Sequence, residues 1–126
     1  MLRTLSAVGT LREGSSSWDQ MDMMSLDCCD ASVEMIVDKG SIDALMCTGS
    51  SQGNVQACVA EFLRVLVPGG TYFVVTGQSR TQSFLCAQSG RDWAISRTET
   101  TAQAGRRPFT VIMMQKKERC MGECGE

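Results

Sequence analysis

Apolar residues recur at Val55, Cys58, Val59, Phe62, Leu63 and Leu66, spacings of three and four that put them on one side of a helix. Asn54 stands where an N-cap belongs, and Pro68-Gly69-Gly70 stops the pattern. Thr71-Tyr72-Phe73-Val74-Val75-Thr76 then reads as a strand. Upstream, Met35-Ile36-Val37 is a short apolar run, entered through Ser32-Val33-Glu34 and ended by Asp38. Lacking alternation, it suits a buried parallel strand. Ser41 is placed to cap a short helix through Ile42, Ala44, Leu45 and Met46, and residues 48–53 form a flexible break. A helix is expected over 80–89 and strands over 93–100 and 109–115, the last two joined by Gly105-Arg106-Arg107-Pro108. Asp22, Asp27 and Asp30 punctuate a loop before the first run. Residues 1–17 end in Glu13-Gly14-Ser15-Ser16-Ser17, show no core pattern and are expected to be disordered. The tail, 118–126, is expected to fray. Strand, helix, strand, helix and a terminal pair describe the second half of a doubly wound α/β sheet. Ligands of such sheets bind outside the carboxyl ends of the strands, which puts Asp22, Asp38 and Thr76-Gly77 on the chemical edge.

Composition narrows the chemistry. The 126 residues fit one domain or part of one, and 43% hydrophobic with 21% charged residues excludes wholesale disorder. The chain has no histidine. That removes the Ser-His-Asp triad, the Cys-His nucleophile pair and the HExxH zinc site. A net charge of −2 argues against a nucleic-acid binder, and Arg106, Arg107, Lys116, Lys117 and Arg119 read as solvated strand flanks. No apolar run approaches the ~20 residues of a membrane span. The seven cysteines, at 28, 29, 47, 58, 86, 120 and 124, are odd in number and include a vicinal pair, unlike a disulfide framework. Cys120 and Cys124 form C-x3-C without a second pair, so no metal site is expected. A reducing, cytoplasmic setting follows. The opening MLRTLSAVGTLR, basic and free of acids, leaves a mitochondrial transit peptide as the alternative.

Three segments together carry a resemblance. They are Gln20-Met21-Asp22-Met23 with Leu26 and Asp30-Ala31-Ser32; Ile36-Val37-Asp38-Lys39-Gly40-Ser41-Ile42-Asp43-Ala44-Leu45; and Glu61-Phe62-Leu63-Arg64-Val65-Leu66-Val67-Pro68-Gly69-Gly70-Thr71-Tyr72. Their order and spacing over residues 18–117 resemble the class I, seven-β-strand S-adenosylmethionine-dependent methyltransferases. The DKGxxDA segment narrows this to a methyltransferase-like group acting on protein lysines or N-termini, translation elongation factor among the substrates. The resemblance implies S-adenosylmethionine as cofactor and a protein as substrate. Residue by residue, it puts Asp22 against the adenine amino group and the Met23 backbone at the ring edge. Asp38 lies beside the methionine portion and the incoming nitrogen, as the catalytic candidate that orients the amine or takes its proton. Lys39 and Gly40 make the tight turn there, and Asp43 sets the helix start or the turn. Methyl transfer from a sulfonium relies on alignment more than on an acid catalyst, which suits a chain without histidine.

The resemblance begins at the family's third strand. Its first strand, with the glycine-rich loop, and the acid ending its second strand have no counterpart here, and seven strand–helix units need ~180 residues. The expected fold is therefore α/β, the C-terminal portion of a doubly wound Rossmann-like methyltransferase sheet without its first two strands. In the family's order (three, two, one, four, five, seven, six) the missing strands leave residues 18–22 without a neighbour. They also turn residues 33–37 into an exposed apolar edge open to pairing with another chain. The leading expectation is a fragment of a methyltransferase that binds its cofactor weakly or not at all. The alternative is a catalytically inactive remnant serving as a protein-interaction module.

Overall fold

The computed structural model describes residues 5–12, 15–47, 52–90 and 92–118. Its elements are β1 (Leu5–Arg12), β2 (Ser15–Asp22), β3 (Val33–Lys39), α1 (Ser41–Cys47), α2 (Gln52–Val65), β4 (Leu66–Thr76), α3 (Ser79–Cys86), β5 (Trp93–Thr101) and β6 (Phe109–Lys116). Four strands form one sheet in the order β3-β4-β6-β5. The β3–β4 pair is parallel, and β6 runs antiparallel to both of its neighbours. This matches the last four places of the order implied by the resemblance: four, five, seven, six. Residues 48–51, part of the expected break, and the tail with Cys120 and Cys124 lie outside the described residues.

Helix α2 forms where the periodicity puts it, starting two residues before the Asn54 cap position. Its apolar stripe, Val55, Cys58, Val59 and Phe62, is buried against Tyr72 and Val74 of β4. Each such side chain contributes roughly 1.5–3 kcal/mol on leaving water. The core cluster also takes Ile42, Leu45 and Met46 from α1, Leu85 from α3, Trp93 from β5, and Ile112 and Met114 from β6. Strand pleating sends alternate residues to opposite faces. Tyr72, Val74, Thr110, Ile112 and Met114 thus share the face that the helices cover. Phe73, Val75, Val111 and Met113 point to the other face and are half-buried.

The Pro-Gly-Gly stop behaves differently from its sequence reading. Strand β4 begins at Leu66, directly after α2, and carries Pro68-Gly69-Gly70 inside it. The register explains how: Leu66 pairs with Val33 and Thr71 with Met35, so the segment between bulges out of the ladder. A side chain at Gly70 would meet the Val67 carbonyl oxygen at 2.8 Å, so the bulge requires glycine.

Two expectations need correction at the N-terminal side. Residues 1–17 are expected to be disordered, of which 1–4, 13 and 14 lie outside the described residues, and residues 18–22 to lack a partner. Instead β1 and β2 pair antiparallel from Leu5↔Asp22 to Arg12↔Ser15, as a separate two-stranded sheet. The backbone hydrogen-bonding groups of the two strands thus satisfy each other. At β3 the expected edge is present. Among the described residues the strand pairs on one side only, and Met35 and Val37 are 55% and 66% exposed. The run is parallel, but it is not buried on both faces.

Candidate active site

The carboxyl ends of β2, β3 and β4 bring the expected acids together. Asp22 closes β2, and one of its oxygens, Oδ1, accepts the Met24 N–H at 2.9 Å. That bond shapes the tight turn in which Met23 sits. The Met23 side chain is buried and belongs to the core, so packing fixes this turn from beneath.

Asp38 belongs to β3, opposite Val74 of β4, and is only 5% exposed. Both carboxylate oxygens have internal partners. Oδ1 accepts the Ser41 N–H at 2.9 Å, which caps the first turn of α1. Oδ2 accepts the Tyr72 hydroxyl at 2.8 Å. Burial pushes the Asp38 carboxyl above its ordinary value, and the bonds from Tyr72 and from the Ser41 and Ile42 backbone pull the other way. The Tyr72 phenol is driven well up, by burial first and by the Asp38 charge second. Lys39 is exposed. Gly40 has φ +87°, and the space where a side chain would stand is open, with no atom within 4 Å. The turn thus presents backbone outward.

Asp43, one turn into α1, reaches across to the end of β4. It accepts the Thr76 hydroxyl on Oδ1 and the Gly77 N–H on Oδ2, at 3.1 Å for the latter. Its expected role in setting the turn takes the form of a tie between the ends of β3 and β4. Beneath the edge, the buried Cys58 thiol is pushed up to about 11, by burial and then by the negative charges of Asp22, Asp38 and Glu61. Asp22 and Asp38 thus both act on the one thiol of α2. Among the described residues no cluster of metal-ligating side chains is present.

Sequence reasoning gave no role to three residues that hold this region. Tyr72 is the first, and its signal was visible: it is the chain's single tyrosine, set in an otherwise apolar strand. Arg64 and Glu61 are the others. The Arg64 guanidinium grips Glu61 through Nε at 2.8 Å and Nη2 at 2.9 Å. It also bonds the Asp30 carboxylate at 2.6 Å and the carbonyls of Leu26 and Cys28 at 2.9 Å. Glu61 in turn accepts the Leu26 N–H at 2.7 Å, so the end of α2 clamps the loop between β2 and β3. The Arg64 bonds hold the Glu61 carboxyl below its usual value.

The sheet order, one parallel pair followed by an antiparallel insertion, together with acids at the carboxyl edge, defines the class: the chain has the fold of a class I S-adenosylmethionine-dependent methyltransferase. The comparisons make this particular. The chain is 32% identical over 95 residues to EEF1A lysine methyltransferase 4 of Mus musculus, a match taking in 67% of this chain and 36% of that protein. This chain therefore spans well under half of that relative. No family model matches it. Among solved structures, the N-methyltransferase NodS of Bradyrhizobium japonicum, in complex with S-adenosyl-L-homocysteine, superposes with a TM-score of 0.62 at 10% identity. That match covers 78% of this chain and 53% of NodS. An S-adenosylmethionine-dependent methyltransferase of Methanosarcina mazei superposes with a TM-score of 0.58 at 15% identity, over 79% of this chain and 66% of that one. At such identities the superpositions establish the fold.

The residues present fit part of the cofactor that this fold class implies. With Asp22 Oδ1 engaged by the Met24 N–H, Oδ2 would be the oxygen to meet an adenine amino group; the open space over Gly40 admits close approach to backbone, and the acids of the edge suit a sulfonium cation.

Proposed function

We propose that this chain is the C-terminal part of an S-adenosylmethionine-dependent methyltransferase whose acceptor is a protein lysine. The observation that carries the reading is the Asp38-Lys39-Gly40 turn: an anchored acid, then outward-facing backbone over open space, at the carboxyl edge between Asp22 and Asp43. The sequence likeness to a lysine methyltransferase acting on an elongation factor supports lysine as acceptor. The cofactor, when bound, supplies an electrophilic methyl group on sulfur. Asp22 and the Met23 backbone would hold its adenine, and the turn at Lys39 and Gly40 its methionine portion. Asp38, with both oxygens engaged, holds the turn in shape rather than standing free to take a proton.

This site lacks a ribose clamp in the sequence reading, so the chain binds weakly. Nuclear magnetic resonance titration with S-adenosylhomocysteine is the appropriate test. The amides of Met23, Met24, Lys39 and Gly40 should shift with a Kd of about 1 mM, equivalent to roughly 4 kcal/mol. No shift at several times that concentration would sink the reading. A second reading, an interaction module without catalysis, is favoured by the exposure of Met35 and Val37 on β3, an edge strand of the described sheet. It gains if a partner protein protects the β3 amides while the titration stays silent.

A further inference from the structure

Tyr72 is wholly buried, and its ring and its hydroxyl do separate things. The ring packs between Phe62 of α2, with centroids 4.9 Å apart, and Trp93 of β5, at 6.0 Å. A phenylalanine would make both contacts. The hydroxyl adds nothing to them and costs free energy to bury unless it is paired. Its partner is Asp38 Oδ2, and the other oxygen of that carboxylate holds the Ser41 N–H. A chain of three groups therefore runs from the core to the backbone of the Lys39-Gly40 turn. Gly40 itself lies over open space at φ +87°, and its carbonyl accepts the Ala44 N–H of α1 at 2.9 Å.

We propose that Tyr72 is a positioning residue: its hydroxyl orients Asp38, and through Asp38 it fixes the Lys39-Gly40-Ser41 turn in the shape that receives the methionine portion of the cofactor. The inference rests on the functional reading above and adds a residue to it. Without the hydroxyl the Asp38 carboxylate keeps its backbone bonds from Ser41 and Ile42 at the start of α1, but Oδ2 loses the partner that ties it to the core and fixes its side-chain torsions. Ground-state order of this kind is what aligned transfer chemistry needs. The other titratable groups that act on Asp38 and Tyr72 are Cys58 of α2 and Asp43 of α1; neither supplies a hydrogen bond to the Asp38 carboxylate.

The test uses the whole 126-residue chain with S-adenosylhomocysteine as probe. Tyr72→Phe keeps the ring and deletes the hydroxyl. Val74→Ala, a core substitution on the same strand opposite Asp38, serves as the control for lost stability. In Tyr72→Phe the Kd read alike by the Met23, Met24, Lys39 and Gly40 amides should rise about tenfold or more, the scale of one hydrogen bond to a charged group. The carbon resonance of the Asp38 carboxyl should titrate at higher pH than in the wild type, because a bond favouring the charged form is gone. Val74→Ala should leave both readouts near wild type. A Tyr72→Phe chain that keeps the wild-type titration and the wild-type Kd overturns the positioning role. Silence of every amide in the wild type is a different failure. It removes the functional reading, and with it the role of Tyr72 in serving a ligand, even if the Asp38 titration moves.

Discussion

The two faces of the four-stranded sheet are nearly equal in sequence and unequal in structure. Tyr72, Val74, Ile112 and Met114 lie under α1, α2 and α3, essentially without exposure. Their pleat neighbours Phe73, Val75, Val111 and Met113 are just as apolar, yet they stay half-buried, and Met35 and Val37 beside them are open. Strands buried on both sides read as continuous apolar runs, and Tyr72-Phe73-Val74-Val75 and Val111-Ile112-Met113-Met114 read that way. The second face is therefore composed as a core face, while the described helices cover only the first. The contrast teaches that a run without alternation reports what a strand is built to meet, not what the described helices cover.

The comparison breaks most sharply in paired truncations. Ile112→Ala should destabilise the fold by about 2–5 kcal/mol, the usual cost of emptying a closed core site. Val111→Ala, one residue away on the other face, should cost under about 1 kcal/mol. Urea unfolding of the two variants measures the gap. If Val111→Ala proves as costly as Ile112→Ala, the second face is covered in solution and the contrast is wrong.

Next in size is the clamp of Arg64 on residues 26–30. Its bonds are many but lie at a partly solvated surface, with Asp30 80% exposed, so screening keeps the ion pair to Asp30 small. Arg64→Ala should act locally. The Leu26 amide, which donates to Glu61, should exchange its hydrogen faster, with less loss of melting temperature than Ile112→Ala causes. Unchanged exchange at Leu26 would mean that the loop holds itself.

Acid titration separates the two buried-side carboxylates. Glu61 is held below its usual value, so its contribution is complete above the unfolded value of about 4.5 and is lost as pH falls through the folded one. Asp38 is raised, so it behaves oppositely. Its contribution is complete below the unfolded value near 3.8 and is lost as pH rises through the folded value. Glu61→Gln should therefore flatten the loss of stability on acidification, and Asp38→Asn should flatten the loss on the rising limb just above pH 3.8. Denaturant midpoints against pH, with salt held constant, read both slopes. The same sign for the two variants would contradict the arrangement.

Much of the architecture was legible in the residues. The spacing of Val55, Cys58, Val59 and Phe62 could form only an amphipathic helix, and the segment around Asp38-Lys39-Gly40 marked a strand end with its turn. What escaped was long-range pairing. Tyr72 reads as one more strand aromatic until the parallel register brings its hydroxyl to Asp38. Arg64 reads as a solvated helix cation until the loop from β2 folds under it. The pairing of Leu5–Arg12 with Ser15–Asp22 escaped because Ser6, Thr10 and Ser15-Ser16-Ser17 interrupt any apolar periodicity in these strands. The bulge at Pro68-Gly69-Gly70 escaped because a stop signal and an accommodated insertion use the same residues.

The smallest expected effect tests the comparison most directly. Met35→Lys and Val37→Lys put a charge on the open face at the sheet's edge strand. A lysine in a covered core face costs several kcal/mol, because its charge must be desolvated or lost. On a solvated face it changes stability by no more than about 0.5 kcal/mol. The two substitutions should therefore leave the denaturation midpoint nearly unmoved, whereas Val74→Lys on the other face should leave little folded protein. Charged residues also blunt an edge against strand addition, so the lysine variants should stay soluble at concentrations where the parent chain associates. Sedimentation of parent and variants decides the point. A strongly destabilising Val37→Lys would show that this face is filled in solution and that the two faces are alike after all.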